Sequence, residues 1–206
     1  MSYTRRQFLL YTAIAALTAC SAKKQGVRIA KGDTVVALGD SLTEGYGASV
    51  SYPTVLQQKT GWNVVNHGVS GNTSADILNR LPETLSLNPK LILFGIGGND
   101  FLRKIDESET RKNIIQTIQQ IKNNHIAVIL IAEPHFTVSA LFGSFKDHPM
   151  YEEIARQENI AVASHLWSDI LSDKSLKSDQ IHANDAGYRQ FAEKLTQFLK
   201  QQGFLS

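Results

Sequence analysis

Five short apolar runs, each followed by a segment of helical period, constrain this chain more than any other feature. The runs cover residues 35–38, 62–69, 91–96, 126–132 and 160–163, and the third is the most apolar. They are short enough for buried strands and are punctuated by glycine, asparagine or charged residues. Helical segments fall at 53–59, 74–87, 106–124, 148–158 and 184–202. The third of these carries Ile114, Ile115, Ile118 and Ile121 at helical spacing, and the last carries Tyr188, Phe191, Leu195, Phe198 and Leu199 on one face. Pro82 should kink or split the second helix. Strands alternating with helices imply a mostly parallel sheet covered on both faces. Right-handed crossovers then make a three-layer α/β/α sandwich.

In such a sheet the loops after the first three strands leave side by side at the carboxyl edge, where α/β proteins bind ligands. The first run, Val35-Val36-Ala37-Leu38, ends in Gly39-Asp40-Ser41, and Gly45 and Gly47 keep the following backbone small. The loops after the second and third runs carry Gly71 and Asn99. A lone Ser41 would read as a helix cap or turn residue. Beside Gly71 and Asn99 it reads as a nucleophile, which needs a base within hydrogen-bond reach and donors aimed at a developing oxyanion. His182 is the candidate base. Asp179, three residues earlier, is placed to receive an imidazole N–H and set the tautomer. Asp40 and Asp100 read as loop-bracing hydrogen-bond acceptors.

Four motifs occur in order: Gly39-Asp40-Ser41-Leu42, Gly68-Val69-Ser70-Gly71-Asn72, Gly97-Gly98-Asn99-Asp100 and Asp179-Gln180-Ile181-His182. The set resembles the four blocks of the SGNH (GDSL) hydrolase family, from about Thr34 to the C-terminal helix. It is most similar to the branch of thioesterase I, lysophospholipase L1 and the arylesterases. The resemblance implies a flavodoxin-like, five-stranded parallel sheet in the order 2-1-3-4-5. It also implies an oxyanion hole made by the N–H of Ser41, the N–H of Gly71 and the side-chain amide of Asn99. The order Ser…Asp…His matches the α/β-hydrolases too, but the stretch around Ser41 lacks the second glycine of a G-x-S-x-G elbow.

The first residues read as a processing signal. Arg5 and Arg6 precede an apolar run too short to span a bilayer, and the pair resembles a twin-arginine export signal. Leu17-Thr18-Ala19-Cys20 resembles a lipobox, which makes Cys20 the lipid-bearing residue; a membrane-anchoring helix with an incidental cysteine is the alternative. The expected organisation is a signal peptide over 1–19, a lipidated cysteine and tether over 20–32, and the hydrolase domain over 33–206. Cys20 is the only cysteine, so no intrachain disulfide forms. Ser21 after it resembles an outer-membrane address, which places the protein in a bacterial envelope. Losing residues 1–19 takes two of the 21 basic residues and none of the 19 acidic ones, leaving a formally neutral chain. No clustered basic face suggests nucleic acid. A monomer without cofactor or metal is expected, because no metal-ligand spacing and no phosphate-cradling loop occur.

The expected substrates are lysophospholipids, short acyl or aryl esters and acyl thioesters. Phe136, Val138, Leu141, Phe142 and Phe145 follow the fourth strand without a regular period. They form either a flap over an acyl chain or a loop packed on the core; Phe136, Leu141 and Phe142 are the candidate substrate contacts. The alternatives are a carbohydrate O-acetylesterase acting on wall or surface glycans, and a catalytically silent lipoprotein that binds lipid or a partner with the same pocket. Among the other histidines, His67, His125 and His148 are expected on loops or half-exposed faces. His135 and His165 follow the fourth and fifth strands and could reach the site edge.

Overall fold

The computed structural model describes residues 27–135 and 144–205. Five strands, β1 (Thr34–Gly39), β2 (Asn63–Gly68), β3 (Leu91–Gly95), β4 (Ala127–Ile131) and β5 (Ala161–Ala163), form one sheet in the order β2-β1-β3-β4-β5. Every pairing is parallel. This is the expected three-layer sandwich and strand order. The eight helices described are α1 (Ser41–Glu44), α2 (Tyr52–Thr60), α3 (Ser74–Ser86), α4 (Gly98–Leu102), α5 (Glu107–Asn123), α6 (Met150–Glu158), α7 (Leu166–Ser172) and α8 (Asp185–Gln201). Among the described residues no helix is long and apolar enough to cross a membrane.

The two cores follow from the period-2 alternation of the central strands. Val35, Ala37, Leu91, Leu93, Ile129 and Ile131 point to one face, under Tyr52, Leu56, Trp167, Phe191 and Leu195. Val36, Leu38, Ile92, Phe94, Val128 and Leu130 point to the other, under Ile77, Leu81, Ile114, Ile118 and Ile154. Both faces are covered, so β1, β3 and β4 read as continuous apolar runs. β2 lies at an edge, which explains why Asn63 and Asn66 are tolerated there.

One expectation is corrected. Pro82 does not split its helix: α3 runs through it as one element. Pro82 is exposed while Ile77, Leu81 and Thr84 are buried around it, and a Thr73–Asp76 capping box fixes the start, so packing overrides the local cost. His148 lies on a loop, as expected, and is buried there, stacked on Phe101 with ring centroids 4.6 Å apart. Phe145 belongs to the first core and not to a flap, with its N–H on Ser172 Oγ at 3.1 Å. Cys20, Phe136, Val138, Leu141 and Phe142 lie outside the described residues.

Register places the site. Gly39 pairs with Gly68 on one side and Gly95 on the other, so three strands end on one rung in glycine. The chain then folds back tightly. A Cβ on Gly68 would lie 2.1 Å from the backbone N of Glu44, and one on Gly39 would lie 2.4 Å from the carbonyl oxygen of Gly95. Only glycine lets α1 seat against the sheet end.

Candidate active site

Ser41 opens α1, whose cap is Asp40: Asp40 Oδ1 accepts the N–H of Leu42 at 3.0 Å. The short helix ends at Gly45 in the left-handed region, φ 100°. A helix start leaves N–H groups unpaired, and among the described residues the N–H of Ser41 has no protein partner. His182 arrives from the far end of the chain on a loop closed by an antiparallel bridge between Lys177 and Ala183. Ser178 N–H donates to His182 O at 3.0 Å, and Asn184 caps α8 directly behind.

These elements bring three predicted residues into a line. His182 Nε2 lies 3.0 Å from Ser41 Oγ, and His182 Nδ1 lies 2.7 Å from Asp179 Oδ2. Asp179 Oδ1 accepts the N–H groups of Ile181 and His182, each at 2.8 Å. Burial alone would raise the Asp179 carboxyl, but the hydrogen bonds from His182 and Ile181 outweigh it and hold the group below the ordinary carboxylate range. The Tyr46 ring covers one side of the imidazole, with centroids 4.6 Å apart. Tyr188 Oη donates to the carbonyl of Tyr46 at 3.0 Å and so fixes that ring's backbone.

Gly71 and Asn99 sit on the neighbouring turns. Gly71 has φ +82°, and its N–H has no protein partner among the described residues. Asn99 Nδ2 donates to Asp40 Oδ2 at 3.1 Å and to the carbonyl of Asn72 at 3.0 Å. Both protons of this amide are therefore engaged in the free protein. Asp40 and Asp100 brace loops as expected. Asp100 accepts from Ser74 N–H at 2.9 Å and Thr110 Oγ1 at 3.2 Å. Burial, opposed by the Leu42 N–H and aided by the nearby Asp100 charge, pushes the Asp40 carboxyl up to about 7.

Two contributors escaped the sequence reading. Glu133 is buried and accepts the N–H of Gly98 at 2.7 Å, the residue before Asn99. Burial, with Asp40 close by, pushes its carboxyl well above the usual range. Arg80 is half-buried and donates to the carbonyls of Gly39 (3.0 Å) and His67 (2.8 Å), tying the ends of β1 and β2 together. An acid just past the apolar run of β4 was a legible signal for Glu133; Arg80 lies on a helix with no local sign of its partners. His135 packs on Phe101 and His148, and the backbone N–H of His165 bonds Asp147, so neither joins the Ser41–His182 line. Among the described residues no group of three His, Cys, Asp or Glu could hold a metal ion.

A family model for GDSL-like lipases and acylhydrolases matches residues 37–190, most of the chain and all four motif blocks. The chain belongs to this family. It is a hydrolase. This hydrolase is 30% identical over 166 residues to thioesterase 1/protease 1/lysophospholipase L1 of Escherichia coli K12, covering 76% of this chain and 78% of that protein. It is 25% identical over 179 residues to an arylesterase of Vibrio mimicus, covering 81% and 88%. The solved structure of TesA superposes with a TM-score of 0.72 at 24% identity, over 82% of this chain and 99% of that one, a likeness of fold.

Proposed function

We propose that this hydrolase is a serine esterase cleaving carboxylic esters or thioesters through an acyl-enzyme, with Ser41, His182 and Asp179 as its triad. The observation that carries the reading is the unbroken Ser41–His182–Asp179 hydrogen-bond line. His182 Nε2 takes the hydroxyl proton as Ser41 Oγ attacks the carbonyl carbon. Asp179 holds the imidazole in the tautomer with its proton on Nδ1 and stabilises the imidazolium. The new oxyanion is met by the N–H groups of Ser41 and Gly71 and by the Asn99 amide, which turns one proton from its present acceptor. Collapse expels the alcohol or thiol, protonated by His182. Water, deprotonated by His182, then releases the acid and restores Ser41.

Lysophospholipids, short acyl or aryl esters and acyl thioesters are the proposed substrates, in line with what the relatives' names say of those proteins. The proposed setting is the bacterial envelope, with Cys20 lipidated after removal of residues 1–19. The test is hydrolysis of p-nitrophenyl esters by the protein and by Ser41→Ala. The variant is expected to lose roughly 10⁴-fold or more in kcat. Equal rates would end the assignment.

A further inference from the structure

The three groups assigned to the oxyanion stand on three separate elements: Ser41 on α1, Gly71 on the turn after β2, and Asn99 on α4. The turn after β2 is the least regular of them. Its flanks are held by Val69 N–H on Gly39 O at 3.1 Å, by Asn72 N–H on Val69 O at 3.1 Å, and by Arg80 Nε on Asn72 Oδ1 at 2.7 Å. Between those flanks lies the Ser70–Gly71 peptide, which presents the Gly71 N–H. A peptide beside a glycine at positive φ meets little steric resistance to rotation.

Two side chains grip the peptide units on either side of it. Glu44 Oε2 accepts the N–H of Ser70 at 2.7 Å and also the Ser70 hydroxyl. Arg103 Nη2 donates to the carbonyl of Gly71 at 2.7 Å. Glu44 stands three residues after Ser41 and Arg103 four residues after Asn99, about one helical turn along in each case. Arg103 is the closing residue of α4, its N–H on Asn99 O at 2.9 Å. Each grip therefore comes from an element that carries another oxyanion donor.

We propose that Glu44 and Arg103 are positioning residues of the oxyanion hole, straps that hold the Gly71 N–H in register with Ser41 and with Asn99. The proposal rests on the serine-esterase reading of the same site. Both side chains are exposed, so their hydrogen bonds add little to folding stability. Losing alignment of an oxyanion donor is far more costly to turnover. The two effects separate cleanly.

The experiment compares Glu44→Ala, Glu44→Gln, Arg103→Ala and Arg103→Lys with wild type in p-nitrophenyl acetate hydrolysis, inhibition by phenylboronic acid and urea unfolding. The boronate forms a tetrahedral adduct on Ser41 and so reports the hole without turnover. Each alanine variant is expected to lose about 10- to 100-fold in kcat with KM within about twofold. Boronate affinity should weaken by a similar factor, and the unfolding midpoint should stay near wild type. Glu44→Gln, which keeps an acceptor oxygen, should recover most of the loss. Alanine variants that keep wild-type kcat and boronate affinity would overturn the straps while leaving the esterase intact. A fall in kcat with unchanged boronate affinity would overturn them as well. A wild type that neither cleaves esters nor reacts at Ser41 with a fluorophosphonate would overturn the esterase reading itself, and the straps with it.

Discussion

Asp40 precedes Ser41, and both of its oxygens are committed, one to the cap of α1 and one to Asn99. That arrangement buries a carboxyl that titrates near 7 instead of near 3.8. The folded protein then binds this proton more readily than the unfolded chain. Its contribution to stability is full below about pH 4, declines as pH rises toward 7, and is flat above. Comparing wild type with Asp40→Asn reads the effect together with the relaxation of Glu133, whose carboxyl the Asp40 charge helps to raise. The stability gap should shift in the variant's favour as pH rises from 4 to 7. Urea unfolding at several pH values reads it; parallel curves would refute it. Ser41, Asp179 and His182 were legible in sequence because their side chains belong to a recognisable chemical set. Arg80 was not, and Glu133 showed only as an acid past an apolar run, since a half-buried base and a buried acid acquire their roles from the groups that meet them in space.

Short helices and glycines decide the geometry between residues. α1 and α4 span four and five residues, too few to show a period, and both lie in glycine-rich turns that read as loops. The long amphipathic helices α5 and α8 were plain in the sequence to within a residue or two at each end, because each buries one continuous stripe. The contact of α1 with Gly68 gives a prediction of its own. Gly68→Ala puts a methyl group against the backbone of Glu44, which cannot swing away as a side-chain tip would. The substitution should cost about 1–3 kcal/mol in unfolding free energy. It should also lower kcat more than tenfold by displacing Ser41. A variant with wild-type stability and turnover would show that α1 is not held against β2 in this way.

The chain enters the fold at the amino edge of the sheet and works at the carboxyl edge. Ile29 N–H bonds the carbonyl of Phe204 at 3.0 Å before β1 begins, and Ser41 follows β1 at its other end. Six residues of strand separate the two edges by about 20 Å at ~3.3 Å per residue. A lipid on Cys20, the attachment proposed above, would join the molecule through the residues that lead into this amino edge. Membrane-bound protein and Cys20→Ala protein are expected to cleave a water-soluble p-nitrophenyl ester with kcat/KM within about twofold. Cys20→Ala should leave the membrane fraction. A markedly slower anchored form would place the site against the membrane instead.

What could be read from the order of residues was the layered α/β architecture and a set of candidate reactive groups. Burial on both faces forces apolar strands, and ester chemistry calls for a particular set of side chains. The chain's order alone could not show that three glycines share one rung, that Asn99 is held by Asp40, or that Glu44 and Arg103 close on Gly71. Those relations join residues tens of positions apart, and they exist only once parallel pairing has set the strand ends level.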